Sequence, residues 1–326
     1  MSEPKKARRI LVRSPNWLGD AIMSLPAIKA IAKAAKPDEL RVLCVAGLGN
    51  LFMRYPFITD VMQFKKGNAS AAHRLLAPAK YDALFLFTNS FRSAMDGAKS
   101  KCPVRIGYGG NLRGPLLTHP VAKTAGVHMV DFYLNLVSPF WGSVFSQEID
   151  FPLLPDERAF ADGIGEMKGA IGIPLGAKYG PAKCWPHKNL KAFIRLAGEK
   201  GHPIALFGSA AEKLQAGALE ESAKGRVMNL AGKTTIGEMA AVMKRCAWVV
   251  ANDSGPLHVA GAVGARTIAI FGPTDHRRTA PLSDNVRIVS KDAKCAPCMK
   301  RECPTDHHCM KGISPEEIYA IIAQNA

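Results

Sequence analysis

Nine short apolar runs punctuate the chain, and most are followed by a longer stretch with apolar residues at helical spacing. In the first half they are Ile10–Arg13, Arg41–Val45, Ala83–Phe87 and Val104–Ile106. In the second they are Ala170–Leu175, Pro203–Phe207, Trp248–Ala251, Thr267–Phe271 and Val286–Val289. Runs that are apolar throughout, rather than alternating, mark strands covered on both faces, and strands separated by helices build parallel sheets. Between the halves, Phe151–Glu157 carries two prolines and no helical period, which reads as an interdomain linker in a break from about Asp150 to Lys168. The pattern therefore predicts an α/β protein of two Rossmann-like halves. Their strand C-termini would line a central cleft, where open parallel sheets take their ligands. A last helix is expected over about 314–324. Ser314 offers an N-cap, Pro315 suits the first helical position, and Glu316 and Glu317 favour the first turn.

Composition narrows the class. Of 326 residues, 48% are hydrophobic and 21% charged, which excludes a disordered chain. Charged residues interrupt every apolar stretch before the roughly 18 residues a membrane span needs. The run Ile10-Leu11-Val12 is cut short by Arg13, too soon for a signal-peptide core, so a cytoplasmic chain with its eight cysteines reduced is expected. The net charge is +16, and the first 150 residues hold 20 Lys/Arg against 10 Asp/Glu. Such a surface suits an anionic partner: nucleic acid, a phosphorylated metabolite or an acidic membrane face. A basic nucleic-acid-binding protein is the non-enzyme alternative. Against it, the basic residues are dispersed and no nucleic-acid motif is present.

Four segments carry candidate chemistry. In Ser14-Pro15-Asn16-Trp17-Leu18-Gly19-Asp20, after the first run, Asp20 stands at a helix start, either as an N-cap or as a carboxylate free to act as a general base. Pro26 must kink that helix or delay its start. In Asn252-Asp253-Ser254-Gly255-Pro256-Leu257-His258 a strand again gives way to a helix. Asp253 or Ser254 could cap it, or its N–H groups could take a phosphate with His258 one turn behind. The loop Gly176–Pro186 holds two glycines and Lys178 and Lys183, which suits a diphosphate; its plain reading is a solvated basic loop with Trp185 as a lid. Finally, Cys295, Cys298, Cys303 and Cys309 fall within 15 residues beside His307 and His308. Their spacing is not that of a standard zinc finger, and thiols without metal are the competing reading.

Taken together, Gly19-Asp20 to Pro26, the loop ending Lys183-Cys184-Trp185-Pro186, Asn252 to His258, Phe271-Gly272-Pro273-Thr274 and the late cysteines resemble the ADP-heptose:lipopolysaccharide heptosyltransferases, and heptosyltransferase II more than I. The resemblance implies a GT-B fold with an acceptor-binding domain over 1–155, a nucleotide-sugar domain over 165–312 and a C-terminal helix, 313–326, returning toward the first domain. It implies inverting, metal-independent transfer of heptose from ADP-heptose to the heptose/Kdo inner core of lipopolysaccharide, without a cofactor. Asp20 would be the catalytic base and Lys183 the phosphate-binding lysine. Asp253, Ser254, Gly255 and His258 would form the donor turn, Glu212 would meet the ribose, and Thr234 and Thr235 would line the adenine pocket. Heptosyltransferase I, or a GT-B enzyme with another sugar donor, is the alternative. The absence of a D-x-D motif agrees with metal-independent chemistry. For the acceptor, with its phosphates and acidic sugars, the basic first half offers Arg92, Arg105 and Arg113. The same charge suits peripheral attachment to the anionic inner face of the inner membrane.

Overall fold

A computed structural model describes residues 7–65, 67, 69–76, 80–142, 145–165 and 169–324. The basic N-terminus up to Lys6, the Lys168 end of the expected break and the last two residues of the expected C-terminal segment lie outside the described residues. The chain divides into two units, Met1–Ile149 and Asp150–Ala326. The first runs β1 (Arg9–Arg13), α1 (Leu18–Met23), α2 (Leu25–Ala35), β2 (Glu39–Val45), α3 (Gly49–Phe52), β3 (Asp60–Phe64), α4 (Ala69–Leu76), β4 (Ala83–Leu86), α5 (Phe91–Lys99), β5 (Val104–Tyr108), β6 (His119–Val121) and α6 (Met129–Trp141). The second runs α7 (Pro155–Gly163), β7 (Ile171–Pro174), α8 (His187–Glu199), β8 (Ile204–Phe207), α9 (Lys213–Ser222), β9 (Val227–Asn229), α10 (Ile236–Arg245), β10 (Trp248–Asn252), α11 (Gly255–Ala262), β11 (Thr267–Phe271), α12 (His276–Thr279), β12 (Val286–Ser290), α13 (His308–Lys311) and α14 (Pro315–Ala323).

Each unit holds one parallel six-stranded sheet. The orders are β3-β2-β1-β4-β5-β6 and β12-β11-β10-β7-β8-β9. Counted from β7, the second is the first read from its other edge, so both are Rossmann sheets. In each, the order reverses between the first and fourth strands: β1 beside β4, and β7 beside β10. That is where loops diverge and open parallel sheets bind ligands. The central strands are the apolar runs: Ile10, Leu11 and Val12 are fully buried, and Val12 pairs with Val42 on one side and Phe85 on the other.

One local feature differs from the sequence reading. The expected linker Phe151–Glu157 is not extended throughout: α7 starts at Pro155, because proline needs no partner for a missing N–H at that position and the Glu157 carboxylate accepts from Leu154 N at 2.9 Å. Pro26 kinks no helix but falls at the start of one, the second of the two outcomes expected of it. α1 stops at Met23, Ser24 intervenes, and Pro26 lies at the second residue of α2. At the chain's end, Ser314 Oγ accepts from Glu317 N at 3.1 Å, as its capping pattern implies. α14 packs on α8, with Ile318 and Ile322 buried in the second unit's core. Among the described residues, no helix is long and apolar enough to cross a membrane.

Candidate active site

In the first unit, the site candidate sits in the loop between β1 and α1, at the switch point. Arg13 ends β1 nearly buried. Its guanidinium donates to Ser14 O at 2.6 Å and Asn16 Oδ1 at 2.7 Å and stands 4.6 Å from the Phe64 ring centroid, which ties the loop down. Burial lowers its pKa to about 10, still far above neutrality. The helix that follows is capped by no side chain: Trp17 holds the N-cap position, and Asp20 is the third residue inside α1. Asp20 is therefore not the N-cap of the plain reading. Its carboxylate lies in the first turn, at the positive end of the helix dipole, and accepts a hydrogen bond from the Tyr133 hydroxyl at 3.2 Å.

In the second unit, loops after β7, β8, β9 and β10 meet. After β10, Asp253 caps nothing: its Oδ2 accepts from Lys183 Nζ and, at 2.6 Å, from Thr274 Oγ1. Ser254 occupies the N-cap of α11 without a cap bond, and its Oγ is buried with no hydrogen-bond partner. Pro256 and Gly255 open the helix, and His258 is buried one turn on. After β7, Pro181–Lys183 forms a 3-10 turn that swings Lys183 over to Asp253, with its ammonium 4.6 Å from the Tyr179 ring centroid. Trp185 is no lid. It is 4% exposed, its indole N–H donates to Ile313 O at 2.9 Å, and its backbone N–H donates to Asn252 Oδ1 at 2.9 Å, locking the β7 and β10 loops together. After β8, Glu212 accepts from Ser209 N and Oγ at 2.7 and 2.6 Å and lies against Gly176, where a Cβ would come within 3.1 Å of its carboxylate. Gly232 N donates to Gly208 O at 2.8 Å, and this leads on to Thr234 and Thr235 after β9. Thr235 is the N-cap of α10, accepting from Glu238 N at 3.2 Å. Lys183, Glu212, Thr234, Thr235 and Asp253–His258 thus share one end of one sheet.

Each unit is thus a Rossmann sheet, the first with a carboxylate in the loop at its switch point and the second with a basic strand-to-helix turn at its own. The sequence model of glycosyltransferase family 9 (heptosyltransferase) matches residues 70–308. The chain belongs to this glycosyltransferase family. Its relatives include lipooligosaccharide heptosyltransferase 2 of Haemophilus influenzae, 31% identical over 306 residues covering 86% of this chain and 88% of that one. Lipooligosaccharide heptosyltransferase 2 of Campylobacter jejuni is 29% identical over 319 residues, covering 95% and 96%. The solved structure of Escherichia coli ADP-heptose lipopolysaccharide heptosyltransferase II superposes with a TM-score of 0.79 at 25% identity, over 97% of this chain and 99% of that one. The fold is GT-B.

The three arginines offered for the glycosyltransferase's acceptor have different surroundings. Arg92 is half exposed and pairs with Asp96 at 3.2 Å, one turn along α5. Arg105 donates to Leu116 O at 2.9 Å and Cys102 O at 2.6 Å, which ties down the β5 loop. Arg113 is fully buried. It donates to Thr88 O, but its Nε and second terminal nitrogen have no partner, and it fits only because Gly107 has no side chain: a Cβ there would lie 2.8 Å from the guanidinium. Burial lowers the Arg113 pKa.

The cysteine segment buttresses the Lys183 turn. Ala182 N donates to Arg301 O at 3.0 Å, the His307 ring bonds Ala182 O at 2.7 Å, and the Tyr179 hydroxyl donates to Met299 O at 2.6 Å. Cys295, Cys298, Cys303 and Cys309 border a cavity of about 100 Å³ beneath it. Burial and then the neighbouring thiols push Cys309 up. Among the described residues, no group of three His, Cys, Asp or Glu side chains is placed to hold a metal ion. A larger pocket, about 540 Å³, opens beyond Thr274 at the ends of β11 and β12 and is bordered by His276, Arg277, Lys291 and Lys294. It shares Thr274 with the Asp253 cluster but is not walled by Lys183 or Glu212. Thr274, Asn252 and Tyr133 were missed as site residues in the sequence. Thr274 stood in the Gly-Pro-Thr turn after β11, whereas nothing local marks Tyr133.

Proposed function

We propose that this glycosyltransferase moves heptose from ADP-heptose to a heptose-bearing lipopolysaccharide inner core, as heptosyltransferase II, by an inverting and metal-independent displacement. The observation that carries the reading is the uncapped start of α11. Asp253 is engaged by Lys183 and Thr274, Pro256 has no N–H and Leu257 N donates to Ser254 O at 3.2 Å, so the Ser254 hydroxyl, which has no partner, and the Gly255 N–H are what the turn offers an anion. A diphosphate fits there, at the positive end of a helix and beside a lysine.

The acceptor hydroxyl gives its proton to the Asp20 carboxylate while its oxygen bonds the anomeric carbon, and the bond from that carbon to the diphosphate oxygen breaks on the opposite face. The carbon passes through an oxocarbenium-like state, and the negative charge gathers on departing ADP. Lys183, shared between Asp253 and the diphosphate, and the start of α11 would stabilise that charge. Glu212, Thr234 and Thr235, at the other end of the loop cluster, would hold the nucleoside. His258 would support the donor turn from the first helical turn. Of the three acceptor arginines, Arg92 and Arg105 would supply the positive field an acceptor meets, and Arg113, fully buried, would act only from behind the surface through its bond to Thr88 O. The basic excess of the first unit supports a cytoplasmic enzyme resting on the anionic inner face of the inner membrane.

The relatives named heptosyltransferase 2 favour a heptose-bearing acceptor over the heptose-free Kdo core that heptosyltransferase I would use. Assaying ADP release from ADP-heptose with the two acceptors side by side tests this. Turnover confined to the heptose-bearing acceptor is expected, and a preference for the heptose-free core would overturn it.

A further inference from the structure

We infer that Tyr133 is a positioning residue for the transfer, its hydroxyl holding the Asp20 carboxylate in one orientation for proton acceptance. This rests on the reading of Asp20 as the base. The phenol reaches Asp20 Oδ1 at 3.2 Å from α6, which packs beside α1 and α2. Tyr133 is 3% exposed, and its ring stacks on Phe87, just beyond β4, with centroids 5.5 Å apart. Its neighbour Phe132 stacks on Tyr108 at 4.2 Å, and the Tyr108 hydroxyl donates to the Phe132 carbonyl, so this turn of α6 is pinned to the end of β5. The start of α6 is fixed as well, because the His128 side chain accepts from Val130 N at 3.2 Å. A phenol in so rigid a setting holds its place, and its bond fixes where Asp20 Oδ1 lies.

The chemistry of the pair is one-directional. Burial, and then the adjacent carboxylate, push the Tyr133 phenol well above its ordinary pKa, so it remains an O–H donor across the working range. A fixed donor on one carboxylate oxygen selects the rotamer in which the group meets its proton, and orientation of this kind governs rate far more than ground-state binding. A buried tyrosine hydroxyl also needs a partner merely to be tolerated. The purely structural alternative, a tie between α6 and α1, is therefore the one to exclude.

Tyr133→Phe keeps the ring and its stack and deletes only the hydroxyl. The expected result is a kcat about 10-fold lower, with the KM values for donor and acceptor and the melting temperature little changed. The decisive arm repeats the substitution in Asp20→Asn, with enzyme in excess so that slow turnover is measured. There Tyr133→Phe should cost nothing further, because the base it positions is gone. An equal fold-loss in both backgrounds, a loss matched by a fall in melting temperature, or no loss at all would overturn the inference. Near wild-type turnover of Asp20→Asn itself would instead overturn the base assignment on which it rests.

Discussion

The Lys183–Asp253 pair offers a test that separates what the two residues do for the fold from what they do for the reaction. Both side chains are mostly buried, Lys183 at 12% and Asp253 at 5% exposure. Removing one member of a buried pair strands the other and typically costs about 3–5 kcal/mol. Asp253→Ala should fall at or below the lower end. The stranded ammonium keeps the Tyr179 ring face, worth about 0.5–1 kcal/mol, and its flexible stem can lift it toward water. About 2–3 kcal/mol is expected, and at roughly 2–4 °C per kcal/mol for a unit of this size the melting temperature should drop by about 4–12 °C. Lys183→Met leaves the more deeply buried carboxylate with Thr274 alone of the two donors seen here and should cost at least as much. The pair Lys183→Met with Asp253→Ala removes both charges, so it should melt closer to wild type than the two single changes summed, by an interaction of about 1 kcal/mol or more. Turnover should behave differently. Every variant lacking Lys183 should lose about 10²–10³ in kcat, the usual effect of deleting one preorganised donor to developing charge, and the double variant should recover none of it. Thermal unfolding and steady-state kinetics on the same four proteins decide the matter. Strictly additive stabilities would refute the coupling, and wild-type kcat in Lys183→Met would reduce Lys183 to a structural partner of Asp253.

Other expectations follow from the same geometry. Turnover should survive exhaustive chelation if Lys183 and the start of α11 stabilise the departing diphosphate as proposed; activity lost in chelator and restored by zinc would contradict this. Gly180→Ala would drive a Cβ into the Arg301 backbone, forcing the cysteine segment off the Lys183 turn, and such overpacking costs about 1–3 kcal/mol, read as a lower melting temperature together with weaker ADP binding. Co-sedimentation with anionic vesicles should weaken as salt rises, at up to about 1 kcal/mol per Lys or Arg near the surface, with acceptor affinity following and donor affinity changing less. Salt-independent acceptor kinetics, with no vesicle binding at low salt, would assign the +16 charge to solubility instead.

The nine strands legible in the sequence include all the central ones, because burial on both faces writes an unbroken apolar run. The three that were not legible, β3, β6 and β9, are all sheet edges. β3 reads Asp-Val-Met-Gln-Phe with two exposed positions, β9 is only half-buried, and β6 contains Pro120, which an edge tolerates because its absent N–H need not pair. The donor turn was legible as a strand-to-helix junction with small residues. Which of its polar groups would cap the helix was not, since the partners of Asp253 lie 70 and 21 residues away at Lys183 and Thr274. The same limit hid Tyr133, 113 residues from Asp20 and set in an ordinary amphipathic helix. Trp185 misled for a related reason: an aromatic in a basic loop looks like a lid until the carbonyl of Ile313 is seen waiting for its N–H.

The central claim is that Asp20 supplies the base while the second unit alone binds the donor. Asp20→Asn, assayed for single-turnover heptosyl transfer alongside its equilibrium affinity for ADP, tests it most directly. The account predicts a transfer rate lower by about 10²–10⁴ with ADP affinity and melting temperature unchanged. A transfer rate near wild type, or a loss of rate matched by an equal loss of ADP affinity, would contradict it.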